Sequence, residues 1–130
     1  MQFLNPPDWP RPKGYSNGVS ARGRMVFTAG VIGWDEREEI RSDALADQVH
    51  QALTNIVAVL RAGDAAPEHV VRMTWYVTDV EEYRASLKEI GAAYRAVMGA
   101  HFPAMAVVQV VRLVEARAKV EIEATAVVPD

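Results

Sequence analysis

Residues 69–83 read HVVRMTWYVTDVEEY, and the change of period inside this stretch decides the fold. From His69 to Thr78 the pattern is two-fold: Val71, Met73, Trp75 and Val77 alternate with Val70, Arg72, Thr74, Tyr76 and Thr78. Alternation over that length, rich in β-branched and aromatic residues, predicts a half-buried strand. Asp79 then stands where a helix N-cap belongs, with Glu82 three residues on, as in a capping box. Val80, Tyr83, Leu87, Ile90, Tyr94 and Val97 follow at helical spacing, and Gly99 ends the run. A strand therefore feeds directly into an amphipathic helix.

Working outward, HFPAMAVVQVVRL at 101–113 predicts a buried strand introduced by Pro103, and 118–128 a second strand, joined to it at Glu115-Ala116-Arg117. In that last strand Val120, Ile122, Ala124 and Ala126 share one face, and Lys119, Glu121, Glu123 and Thr125 the other. Upstream, Leu45, Val49, Leu53, Ile56, Val57 and Leu60 form one helical stripe, capped by Ser42 or Asp43 and stopped at Gly63. GVSARGRMVFTAGVIG predicts two short strands around a turn at Arg22-Gly23-Arg24. Residues 1–13 hold prolines at 6, 7, 10 and 12, which predicts an extended arm, pinned to the body by Phe3 and Trp9, ahead of a single domain at 14–130. The order is ββαβαββ, a mixed sheet with two helices packed on one face. The other face mixes carboxylates with Val107 or Val108, Thr125 and Val127, a surface suited to subunit contact, so an oligomer is expected.

The chain has 130 residues, half of them hydrophobic, and a net charge of −3. Its cations, among them Arg24, Arg72 and Arg112, are scattered, so the basic stripe of a nucleic-acid binder is missing. There is no cysteine, which excludes a disulfide framework or thiolate chemistry and fits a reducing cytoplasm. No apolar run is long enough to span a bilayer, and MQFLNPPDWP does not read as a signal peptide. A cytoplasmic protein with no membrane partner is expected.

His50, His69 and His101 lie on different elements without metal-ligand spacing, and no metal site is expected. Ser16, Ser20, Ser42 and Ser86 do not occur in a nucleophile elbow. Gly30-Val31-Ile32-Gly33 lacks the following helix that a phosphate cradle requires, so no cofactor is expected. Glu121 and Glu123 point to the same side of their strand. Exposed, they are solubilising; partly desolvated at an interface, one of them becomes a usable general base.

Six segments together resemble the Rid/YjgF family of reactive-intermediate (enamine/imine) deaminases, over about residues 14–128. They are Gly14-Tyr15-Ser16-Asn17-Gly18-Val19, Val26-Phe27-Thr28-Ala29-Gly30, Gln51-Ala52-Leu53-Thr54-Asn55-Ile56, Val71 to Asp79, Phe102-Pro103-Ala104 and Val120-Glu121-Ile122-Glu123-Ala124. The resemblance implies a chorismate-mutase-like α+β fold and a homotrimer with small-molecule clefts between subunits. It also implies hydrolysis of an imine by water that a glutamate orients. By position, Tyr15 matches the aromatic wall, Gly30 the backbone donor, with Ala29 in place of the usual serine, and Glu121 the water-positioning acid.

Met105 stands where active relatives carry the arginine that clamps the substrate carboxylate. A thioether supplies none of the charge-assisted hydrogen bonds of a guanidinium. Losing such a clamp costs about 2–5 kcal/mol of binding, roughly two to four decades of affinity for an anion. Gly91 falls near the family's polar contact on the second helix and supplies none either. The expected cleft is apolar, built from Met105, Val107 and Tyr15 with one acid, unless Arg24, Arg72 or Arg112 reaches it. Three activities remain open: an imine or enamine hydrolase of atypical range, a trimer that binds a small apolar ligand without turnover, and ribonuclease, which the acidic chain and the lack of a catalytic histidine pair disfavour.

Overall fold

The computed structural model describes residues 1–130. Its elements are β1 (Gln2–Leu4), β2 (Gly18–Ser20), β3 (Arg24–Phe27), β4 (Val31–Ile32), α1 (Leu45–Ala62), β5 (Val70–Val77), α2 (Val80–Ala85), α3 (Leu87–Met98), β6 (Ala104–Gln109) and β7 (Val120–Val128). The main sheet runs β3-β7-β5-β6, with β4 also paired to β7. Only β5 and β6 are parallel, so the sheet is mixed, as the interleaved pattern predicts. Helices α1 and α3 pack on each other over one face. Val70, Met73, Trp75 and Val77 of β5 and Val120, Ile122, Ala124 and Ala126 of β7 meet Val49, Leu53, Ile56 and Leu60 of α1 in the core. No helix is long and apolar enough to cross a membrane.

Several expectations need correction. Val70, not Val71, faces the core, because a register irregularity between Val70 and Arg72 shifts the alternation at the start of β5. The two strands around Arg22-Gly23-Arg24 exist but do not form a hairpin. β2 pairs with β1 in the arm, and β3 pairs with β7. Gly23, at φ 146°, passes so close to the end of β7 that a β-carbon would lie 2.1 Å from the Val128 carbonyl oxygen. The chain therefore hands over from one sheet to the other at this glycine. Phe3 packs edge-on against His101 at 5.7 Å between ring centres, but Trp9 is 60% exposed and pins nothing.

The N-cap of α1 is Ala44 rather than Ser42 or Asp43. The Ser42 hydroxyl instead accepts from the Ala44 amide and donates to Asp47, and Asp43 pairs with Arg117. Asp79 caps α2 as expected, accepting from the amides of Glu81 and Glu82, while the Glu82 carboxylate is turned to Lys119. The second helix is broken at Ser86, which has φ −111° and ψ 15° and whose amide bonds the Tyr83 carbonyl. The break shifts the phase of the apolar stripe. α3 buries Ile90, Ala93, Tyr94 and Met98, whereas Leu87 stays 53% exposed.

Three polar side chains fasten the connections to this core. The amide nitrogen of Gln48, buried in α1, donates to the carbonyls of Ser42 and Arg117, and its oxygen accepts from the Lys119 amide at 2.8 Å. The Asn55 amide donates to the carbonyls of Ile32 and Trp34 and so holds the end of β4 on α1. Tyr94 stacks on Phe102 and donates its hydroxyl to the His101 carbonyl, tying α3 to the segment that enters β6. Burial raises the Tyr94 phenol well above its ordinary value.

Replacing Gln48 by the near-isosteric Met strands three backbone groups, and is expected to cost about 2–4 kcal/mol in urea unfolding. The Tyr94 pKa is raised in the folded chain, so its contribution is fully present below pH 10 and is lost as pH climbs towards the folded value. Stability measured by unfolding should fall above about pH 10, and Tyr94→Phe should flatten that alkaline fall. At neutral pH the same variant should cost about 1 kcal/mol for the lost hydrogen bond.

Candidate functional site

Strand alternation distributes the predicted site residues over both faces of the sheet. In the parallel pair, Met105 lies opposite Met73 and Val107 opposite Trp75, both on the helix-covered side. Between this edge strand and α2–α3 there is a cavity of about 420 Å³. Met105 and Val107 form its floor with Trp75, while Tyr83, Leu87, Ile90, Tyr94 and Phe102 supply apolar walls. Tyr15 stands at its mouth, 42% exposed. It is placed there by Ser16, whose amide donates to the Pro103 carbonyl at 3.0 Å and whose hydroxyl donates to the Phe102 carbonyl at 2.7 Å. Three predicted residues, Tyr15, Met105 and Val107, are thus brought together in one cavity.

The cavity holds no carboxylate. Burial raises the phenols of Tyr83 and Tyr94, so both are protonated and neutral at pH 7. The indole nitrogen of Trp75, which is 1% exposed, has no hydrogen-bond partner. Two cations do reach the cavity's lining, Lys13 from the arm and Arg95 from α3. None of the three arginines considered from the sequence lines it. Arg24 donates to the carbonyls of Gly63 and Asp64, Arg72 lies on the far face beside Glu123 and Thr28, and Arg112 sits in the loop before β7. Arg95 went unnoticed because it falls outside every family motif. The available signal was its position four residues after Gly91, on the same face of the helix.

The other predicted residues form a second group on the open face. Glu121 lies opposite Tyr76, which in turn pairs with Val108, one step out of phase with Met105 and Val107. Between β3 and β4 the chain swings away from β7. The Thr28 amide and hydroxyl bond the backbone of Ala124, and Ile32 comes opposite Glu121. This brings Ala29 and Gly30 beside Glu121. A β-carbon on Gly30 would lie 2.3 Å from a Glu121 carboxylate oxygen, so a side chain there would push the carboxylate out of its present place. Glu123 is engaged, accepting from the Tyr76 hydroxyl at 2.6 Å, and that bond raises the Tyr76 phenol. Glu121 makes no hydrogen bond within the chain, so its carboxylate is available to a water or a ligand. Met25 and Phe27, 56% and 64% exposed, and Val108 surround this polar centre with apolar surface. The histidines take no part: His50 is exposed, His69 accepts from the Ala66 amide, and His101 bonds the Val70 carbonyl.

A single chain therefore carries two separate groups of these residues, an apolar cavity with cations at its edge and, on the opposite face, an unengaged acid beside a glycine. The family model described as Endoribonuclease L-PSP matches residues 10–128. A RutC family protein of Pyrococcus horikoshii is 36% identical over 119 residues, covering 90% of each chain. A protein of Escherichia coli named 2-iminobutanoate/2-iminopropanoate deaminase is 33% identical over 117 residues, covering 87% of this chain and 86% of that one. Among solved structures, a protein of unknown function of the conserved Rid family from Yersinia pestis superposes with a TM-score of 0.86 at 31% identity, covering 98% of both chains. With the mixed sheet, the helix-covered face and the six motifs in order, these likenesses make the chain a member of the Rid/YjgF family.

Proposed function

We propose that this protein is a homotrimeric hydrolase of imines or enamines, in which the cavity of one copy is completed by Glu121 and Gly30 of the next. The observation that carries the reading is the unengaged Glu121 carboxylate held against Gly30 on an open, half-apolar sheet face. Covering that face with a second copy withdraws the acid from bulk water and strengthens it as a base. The deaminase name of the Escherichia coli relative supports the reaction class.

The chemistry needs no cofactor. Glu121 accepts a proton from a water molecule as the water oxygen bonds to the imine carbon. The C=N electron pair moves to nitrogen, which takes that proton from Glu121 and gives the neutral carbinolamine. Glu121 then accepts the carbinolamine hydroxyl proton as the carbonyl forms and passes it to the amine, which leaves as ammonia. The net change is imine plus water to ketone plus ammonia. In this reading the Gly30 amide donates to the ligand beside the acid.

Met105 sets the substrate range. Without the strand arginine, and with no side chain to fill an apolar cavity, imines of small amino acids are poorly matched, and 2-iminopropionate generated in situ is expected to release ammonia slowly. Glu121→Gln should abolish ammonia release from any imine that is turned over, without lowering the thermal midpoint. Met105→Arg should raise the rate on 2-iminopropionate by about two decades or more, the inverse of the clamp's loss. Family-typical turnover of 2-iminopropionate by the unmodified chain would refute the role given to Met105. A protein that binds but never turns over an imine, with or without Glu121, would be a ligand-binding trimer instead. Light scattering giving a monomer at working concentration would overturn the shared cleft.

A further inference from the structure

The anion clamp missing from β6 has a counterpart on α3. Arg95 lies one helical turn after Gly91, and side chains on a helix lean towards its N-terminus, so Arg95 reaches back over that position. Its Nη1, Nη2 and Cζ atoms lie 3.4, 3.9 and 4.0 Å from where a β-carbon of Gly91 would stand, so the guanidinium rests across bare backbone. Both residues line the cavity that Met105 floors. The Arg95 guanidinium makes no ion pair or hydrogen bond within the chain, unlike those of Arg24, Arg41, Arg84 and Arg117, so its donors are free for a ligand. Lys13 adds a second positive charge to the same lining.

The body of the cavity has the opposite character. Nine of its thirteen lining residues are hydrophobic, and about 420 Å³ is room for a ligand well beyond three carbons. Trp75, Tyr94 and Phe102 offer ring faces and edges, and Met105 adapts to whatever shape lies on them. An anion at the mouth and a bulky apolar group inside are therefore both matched.

We infer that Arg95, lying across Gly91, grips the ligand carboxylate in place of the strand arginine, and that the site takes 2-imino or 2-oxo acids with an aromatic or long branched side chain. This rests on the reading of the cavity as the ligand half of the site. It replaces the purely apolar cleft expected from Met105 alone.

The test is calorimetric binding to the intact assembly of three probes: 3-phenylpropanoate, its neutral amide 3-phenylpropanamide, and propanoate. The unmodified protein should bind 3-phenylpropanoate more tightly than the other two. Arg95→Ala should weaken 3-phenylpropanoate by about tenfold or more, as expected for a charged hydrogen bond, and leave the amide unchanged. Arg95→Lys should retain part of the affinity. Gly91→Leu, which fills the guanidinium's resting place while favouring the helix, should reproduce the loss with Arg95 still present. Acid and amide binding alike, propanoate binding as tightly as 3-phenylpropanoate, no binding to the unmodified protein, or indifference to Arg95→Ala would each overturn the inference. The hydrolase reading fails separately: absence of ammonia release from the phenylalanine-derived imine, with Arg95-dependent binding intact, removes the reaction and keeps the clamp.

Discussion

The two-residue period of β5, β6 and β7 is the constraint on which the rest of the molecule depends. Once Val77 pairs with Val120 and Trp75 with Ile122, every side chain of the central strands is assigned a face. Trp75, Met105 and Val107 go under the helices. Tyr76, Val108 and Glu121 go to the open side. A one-residue slip would bury both carboxylates of β7 against α1 and is excluded by their desolvation cost. The same register puts the Glu121 carboxylate and the cavity over Met105 on opposite faces of one chain, which is why the proposed assembly brings in the sheet face of a second copy.

This separation gives the open face its mixed character. Met25, Phe27 and Val108 expose apolar surface there, while Glu121 and Glu123 add carboxylates that an ordinary core would not hold. Glu123 is already satisfied by Tyr76, so covering the face leaves one acid with an unmet need. Buried polar groups are paired or functional, and in the proposed assembly a water held by Glu121 would fill both descriptions.

Much of this was legible in the sequence because it rests on periodicity. The alternation in 69–78 and 120–126 and the stripe of α1 state which faces are buried, and the capping role of Asp79 is local chemistry. What escaped depends on contacts between distant segments. The partner of β2 is chosen by the arm and that of β3 by the end of β7, neither of which a turn-like Arg22-Gly23-Arg24 can signal. The break at Ser86 changes which residues of the second helix line the cavity, and nothing in the stripe Val80, Tyr83, Leu87 marks it. Motif resemblance singles out Tyr15, Met105, Val107, Ala29, Gly30 and Glu121, which the structure gathers into two groups. Arg95 is not among them, because its role comes from the residue it lies on rather than from any pattern of its own.

Two glycines make the same physical point from opposite sides of the sheet. Gly30 lies against the Glu121 carboxylate and Gly91 beneath the Arg95 guanidinium. Neither glycine has a positive φ, so neither is there for the backbone's sake. In the helix Gly91 is a net cost of about 1 kcal/mol relative to alanine. Each glycine lies beside one charged side chain with no partner in its own chain, and the two charges are of opposite sign. A ligand with an electrophilic carbon for the acid's water and a carboxylate for the guanidinium would engage both.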